Sequence, residues 1–303
     1  MTGLPEQVLA MGFALAGALS YAVASVTQQR TAAAVASRRS LDPALVLRLL
    51  RSRPWLLGFA LVIAGYLLQA VALDLGRLLV VEPVFPLGLL LALVLAARAD
   101  GRSLRRPEWT AAIATVAGLA VFLIAAEPTG GNRTAPARSL GATAAGAVVI
   151  AGLCWLVSLK AAGSRRALVL SIGGGVGAGV TDALTKTAAA LTGTIRFALF
   201  GDVRLYLLAA CGLVTLTVQQ NAYRAAGLAA SLPAFVVLEP VIGSLLGLFG
   251  YHEGVGDGPL QIAIEALAVL TALWGIAGLA NSVSADLARP ASLAATTPAE
   301  PAA

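Results

Sequence analysis

The chain has 303 residues, 58% of them hydrophobic and only 12% charged, with a formal net charge of +6 and a mean hydropathy of +0.86. Soluble globular chains carry about a quarter charged residues, so this composition cannot cover a water-facing surface and excludes a soluble domain. It also excludes a disulfide framework and a histidine-rich metal centre, because the two cysteines, Cys154 and Cys211, lie in apolar runs and His252 is the only histidine.

Taken in chain order, the apolar runs predict an all-α polytopic membrane protein with about nine transmembrane helices. The spans fall at about 8–28, 55–73, 78–97, 109–126, 139–160, 167–190, 205–223, 231–250 and 260–281, near the roughly 20 residues that cross a bilayer as helix. The opening MTGLPEQ carries Glu6 and no lysine or arginine, unlike the basic start of a secretory signal, so the first run is expected to stay as a span. Between spans 1 and 2, the segment 41–53 (LDPALVLRLLRSR) is too short and too basic to cross. It is expected to lie as an amphipathic helix on the membrane face. From Ser282 to residue 303 the chain is rich in Ala, Pro, Ser and Thr and reads as a disordered tail.

Arginines sort by membrane side. Arg30, Arg38, Arg39, Arg48, Arg51 and Arg53 follow span 1, Arg98, Arg102, Arg105 and Arg106 follow span 3, and Lys160, Arg165 and Arg166 follow span 5. With Arg224 and Arg289 that side collects fifteen basic residues, while the other holds five: Arg77, Arg133, Arg138, Arg196 and Arg204. The positive-inside rule then sets the N-terminus outside and the C-terminus in the cytoplasm. The Ala-, Gly- and Arg-rich composition suggests a bacterial plasma membrane. Basic charge sorted in this way needs no nucleic-acid partner.

Shifted by 157 residues the chain meets itself: Glu82-Pro83-Val84 falls on Glu239-Pro240-Val241, Tyr66 on Tyr223, Gly101 on Gly258, Gly118 on Gly275, and Gln29 on Lys186. Spans 1 to 4 and spans 6 to 9 then run in opposite directions, the pattern of inverted-topology repeats. Residues 1–126 form the first repeat with segment 41–53, and 138–281 form the second, with span 5 unpaired. The span order, the repeat and SLPAFVVLEPVIGSLLGLFGYHEG (231–254) resemble the drug/metabolite transporter superfamily, of the EamA-like kind. TQQR after span 1 and LLGFALVIAGYLLQAVAL (56–73) are similar to the branch near NIPA-type magnesium transporters. The resemblance implies a transporter and leaves open whether metabolites, drugs or cations are carried.

Glu82 and Glu239 each precede a proline within a span. A charge at helix centre costs about 2.5–3.5 kcal/mol on insertion scales, and Pro83 and Pro240 free the carbonyls of Leu79 and Val236. Carboxylate and freed carbonyl together form a candidate proton or cation site; the competing reading is a capped helix bend. Asp182 and Lys186 are four apart on span 6 and share a helix face, as a self-neutralising pair or as a relay. Tyr66, Gln69, Gln219, Gln220, Asn221 and Tyr223, with Gln29 at the end of span 1, are candidates for the pathway wall or for bonds between helices. The glycines of SIGGGVGAG (171–179) sit at spacings of four and predict close helix packing, not a phosphate loop. The expected function is a secondary transporter working by alternating access at a site lined by spans 1, 3, 6 and 8, coupled to protons or ions, with a divalent cation such as Mg²⁺ as one alternative cargo. A membrane-embedded enzyme or a non-transporting scaffold are the other classes; no nucleophile–base or metal constellation points to the first. No cofactor is expected. The expected partners are the lipid bilayer, a small-molecule or cation substrate, and a second copy of the chain as a homodimer.

Overall fold

A computed structural model describes residues 4–35, 42–75, 84, 86–126, 137–192, 203–251 and 258–295, and among the described residues the structure is helical throughout, with no strand. The helices are α1 (Leu4–Ala34), α2 (Leu45–Leu49), α3 (Arg53–Leu75), α4 (Leu87–Ala99), α5 (Arg106–Ala125), α6 (Ala137–Lys160), α7 (Gly163–Thr192), α8 (Val203–Ala225), α9 (Leu228–Ser231), α10 (Pro233–Tyr251) and α11 (Pro259–Ala295). Seven of them, α1, α3, α5, α7, α8, α11 and the α9–α10 run, are long and apolar enough to cross a membrane; α4 and the stretch Ala145–Lys160 of α6 are shorter apolar helices. Residues 76–83 lie outside the described residues, and α4 accordingly has 13 residues where the sequence predicts a full span. Helix α11 continues to Ala295, past Ser282, where the composition reads as a disordered tail; the alanines that lower its complexity also favour helix.

Small residues face inward and large apolar ones outward. In α1, Ala10, Ala14, Ala18 and Ala22 are buried at spacings of four, one face of a helix. A Cβ built on Gly17 would lie 3.1 Å from the Gly65 carbonyl, and one on Gly65 3.2 Å from the Gly17 carbonyl, so α1 and α3 meet backbone to backbone. Outward stand Leu56, Leu57, Ile63 and Leu67 of α3 and Leu260, Leu267, Leu270 and Trp274 of α11. Soluble monomers expose apolar patches of only a few hundred Å², so a surface of this kind is one that lipid solvates.

Hydrogen bonds fix helix direction. Gln29 at the end of α1 donates to the Tyr223 and Ala226 carbonyls at the end of α8, and Arg30 donates to Ala99 and Asp100 at the end of α4. Trp55 at the start of α3 donates to Gln220, and Ser171 of α7 donates to the Ser231 carbonyl just before α10. These termini share one end of the bundle, the arginine-rich end. Helices α5 and α11 are antiparallel, with Gln261 donating to the Ala125 carbonyl over 2.6 Å. In packing, α1 lies along α3 and crosses α4; α7 lies along α8, α10 and α6; and α5 pairs with α11.

The segment after α1 docks on protein. Leu45, Val46 and Leu49 of α2 are buried in the bundle, while Leu47 and Leu50 remain exposed. Ahead of α2, Asp42 is buried. Its N–H donates to Asn221 Oδ1 over 2.8 Å, and its carboxylate takes Arg48 and, at 3.6 Å, Arg224. Asp42→Ala removes the acceptor from both guanidinium groups and is expected to cost about 1–3 kcal/mol. Asp42→Asn, which keeps the acceptor for the Ala44 N–H, should lose less; thermal unfolding of detergent-purified protein measures both.

Candidate functional site

Helix α7 organises the centre. Cβ atoms built on Gly175 and Gly179 would lie 2.9 Å from the Phe235 carbonyl and 2.6 Å from the Glu239 carbonyl of α10. Gly177 faces Thr215 of α8, and Gly173 faces Cys154 of α6. The glycine-rich stretch thus lets three neighbours approach one helix, as its spacing predicts. Pro240 lies inside α10, which runs on as one helix to Tyr251. The proline removes the donor for the Val236 carbonyl without unwinding the helix.

This close approach sets Glu239 of α10 beside Asp182 of α7. Their carboxyl groups are close enough to interact directly. Two cavities meet at this pair. The first, about 410 Å³, opens toward the arginine-rich half and is lined by Ser25, Gln28, Phe59, Thr215, Gln219, Gln220, Tyr223 and Phe235 among others. The second, about 330 Å³, extends the other way along Gln69, Pro86, Leu89, Leu119, Leu123 and Pro240. Tyr21, Tyr66, Asp182 and Glu239 line both. They form a polar layer with one cavity on either side.

Hydrogen bonds fix the far wall of the first cavity. Trp55 Nε1 donates to Gln220 Oε1 over 3.0 Å, and Gln220 Nε2 donates to Gln28 Oε1 over 2.9 Å. Gln219 Nε2 donates to the Ser231 carbonyl over 3.0 Å, while Gln219 Oε1 is buried with no partner among the described residues.

Of the residues predicted from sequence, Tyr66, Asp182, Glu239, Pro240, Gln69, Gln220 and Tyr223 line one cavity or both. Gln29 does not; it holds the C-terminal carbonyls of α8. Glu82 and Pro83 lie outside the described residues, as does His252, and of Lys186 only the helical backbone is described. Asp182, which the sequence places one turn from Lys186 on the same helix face, has Glu239 of another helix as a neighbour. The wall is built from α1, α3, α7, α8 and α10, with α4 and α5 closing the second cavity, so spans 2, 4 and 7 join the expected spans 1, 3, 6 and 8. Sequence reading missed Tyr21, Ser25 and Phe235. Tyr21 carried a usable signal, since it is the one tyrosine in the long apolar first span.

Among the described residues no three His, Cys, Asp or Glu side chains gather as a metal cluster. No family model matches the chain, and no solved structure matches it. An uncharacterized protein of Corynebacterium glutamicum is 34% identical over 252 residues, covering 80% of this chain and 85% of that protein.

Proposed function

We propose, for a chain that belongs to the same protein family as this uncharacterized Corynebacterium glutamicum protein, the function of a secondary transporter. It moves a small solute by alternating access through the two cavities, with Asp182 and Glu239 at the crossing point. One observation carries the reading: a carboxyl pair in the middle of an apolar bundle has a cavity on each side. Ionisable groups inside a bilayer are costly and mark ion or substrate pathways, and the site of an alternating-access transporter lies near the midplane.

Helix packing supports an inverted repeat. The α1–α3 and α1–α4 contacts have counterparts in α7–α8 and α7–α10, while α5 and α11, the last of the matched spans 1–4 and 6–9, pair with each other. Counting α4 and α6 as spans gives nine, four in the first half and five in the second. The arginine-rich end is then cytoplasmic, with the N-terminus outside, in a bacterial plasma membrane. The resemblance of residues 231–254 to drug/metabolite transporters agrees with this reading.

Proteoliposomes test it. Purified protein reconstituted with an internal pH indicator is challenged with metabolites, amines and divalent cations, with and without an imposed pH gradient. At least one solute should cross in a protein-dependent way and move protons as it does. Correctly folded protein that moves neither solute nor protons across the whole panel would refute the reading.

A further inference from the structure

Resting on the transporter reading, we infer that the cargo is a small protonated amine with an apolar body, its ammonium group held between the Asp182–Glu239 pair and the side-chain oxygen of Gln219. The charge lining the cavities is one-sided. Asp182 and Glu239 are the acids in their walls, and among the described residues no lysine, arginine or histidine lines either cavity. Lys186, one turn beyond Asp182 on α7, has its side chain outside the described residues. An anionic solute finds no described counter-charge here, and a cation finds two carboxyl groups.

The aromatic lining points the same way. Tyr21 and Tyr66 border both cavities, with Phe59, Tyr223 and Phe235 in the first. Ring faces attract an ammonium group, most strongly where water is excluded. The remaining wall sets Val62, Ala178 and Leu216 beside Ser25, Thr181 and Thr215, so an apolar body meets hydrocarbon on part of the wall and uncharged hydroxyl groups on the rest. A cavity of about 410 Å³ lies within the range that small organic ligands occupy.

Gln219 selects for a hydrogen-bond donor. A backbone carbonyl can only accept, so the bond to the Ser231 oxygen fixes which end of the amide is nitrogen. Oε1 is thereby left as an acceptor on a side chain only 5% exposed, in the wall of the cavity beside the Tyr223 side chain, with no donor bonded to it among the described residues. Buried acceptors are ordinarily satisfied, and an N–H donor supplied by the cargo would satisfy this one. A quaternary ammonium has no such donor. Mg²⁺ is also a poorer fit, because two carboxyl groups in an apolar wall leave the waters it retains few partners.

The test is equilibrium binding to purified full-length protein in lipid nanodiscs, with a transport assay alongside. The probes share one body: phenethylamine, phenethyltrimethylammonium, phenethyl alcohol and phenylpropionate, with MgCl₂ as the divalent arm. Phenethylamine should bind at least about tenfold more tightly than the alcohol or the carboxylate and about threefold to tenfold more tightly than its trimethyl analogue. Glu239→Gln and Asp182→Asn should each bring the amine down to the affinity of the alcohol. Gln219→Leu should narrow the gap between the amine and the trimethyl analogue while leaving both ahead of the alcohol. Equal binding of alcohol or carboxylate, or Mg²⁺ binding that depends on Glu239 where amine binding does not, overturns the inference. Should a variant fail to fold, the ligand series on the wild-type protein still decides. Amine binding without flux would uphold the ligand and refute the transporter; flux of an anion or a neutral solute without amine binding would do the reverse.

Discussion

Glu239→Gln is expected to lower cargo flux about a hundredfold and to uncouple what remains from the proton gradient, while folding and membrane insertion persist. A hundredfold corresponds to about 2.7 kcal/mol, the size of one or two hydrogen bonds to a charged group. Glutamine keeps the shape of the side chain and can still hydrogen-bond to Asp182, so the contact between α7 and α10 survives. What it cannot do is exchange a proton or hold a cation by charge. Asp182→Asn should act in the same direction, because the two adjacent carboxyl groups work as one unit. The double variant Asp182→Asn, Glu239→Gln should therefore be little worse than Glu239→Gln alone, the non-additivity expected of residues in direct contact. A contrasting double variant, Asp182→Asn with Lys186→Gln, separates this reading from an ion pair along α7. If that pair dominated, removing both charges would restore flux lost in the single Asp182 variant; with Glu239 as the functional partner, flux stays low. Reconstituted flux with and without a pH gradient measures all four variants.

The helices were legible in the sequence because a membrane helix is written locally, as a run of apolar residues of fixed length. The glycines of α7 were legible for the same reason: spacing along one helix decides which of them share a face. The site was only half legible. Glu239 and Asp182 each stood out as a charge in an apolar run, but their partnership joins residues of different helices. It depends on Gly175 and Gly179 admitting α10 to within contact of α7, and no periodicity within either helix encodes that. The sequence therefore paired Asp182 with the acid's nearest opposite charge on its own helix, Lys186. Gln29 illustrates the converse. It falls on Lys186 under the 157-residue shift, yet it lies far enough along α1 to meet the ends of α8 and holds carbonyls there. Segment 41–53 reads as amphipathic, and so it is, but amphipathicity does not say whether the apolar face meets lipid or protein. The buried Asp42 bonded to Asn221 and to two arginines decides for protein.

Gly118→Ala and Gly275→Ala are expected to destabilise the protein by similar amounts, about 1–3 kcal/mol each. At most helical positions the same change is favourable by up to about 1 kcal/mol. A Cβ on Gly118 would lie 2.6 Å from the Ala268 carbonyl and 2.7 Å from the Ala272 nitrogen, and one on Gly275 would lie 2.5 Å from the Ala111 carbonyl and 2.7 Å from the Thr115 nitrogen. Those atoms are backbone, so no side chain can turn aside, and α5 and α11 would have to move apart. The contacts are reciprocal in register: Ala111 and Ala268, Thr115 and Ala272, and Gly118 and Gly275 are each separated by 157 residues, the shift that superposes the two Glu-Pro pairs. A crossing at which each helix makes to its partner the contact it receives is what a two-fold axis between inverted halves requires. The double variant should then cost less than the sum of the singles, because the helices need separate only once. Gly12→Ala and Gly152→Ala, where an added Cβ meets nothing within 4 Å, serve as controls and should be neutral or stabilising. Thermal unfolding in one detergent compares all five variants. A large loss at Gly118 with none at Gly275, or the reverse, would mean that the crossing is lopsided and that the two halves do not share an axis there.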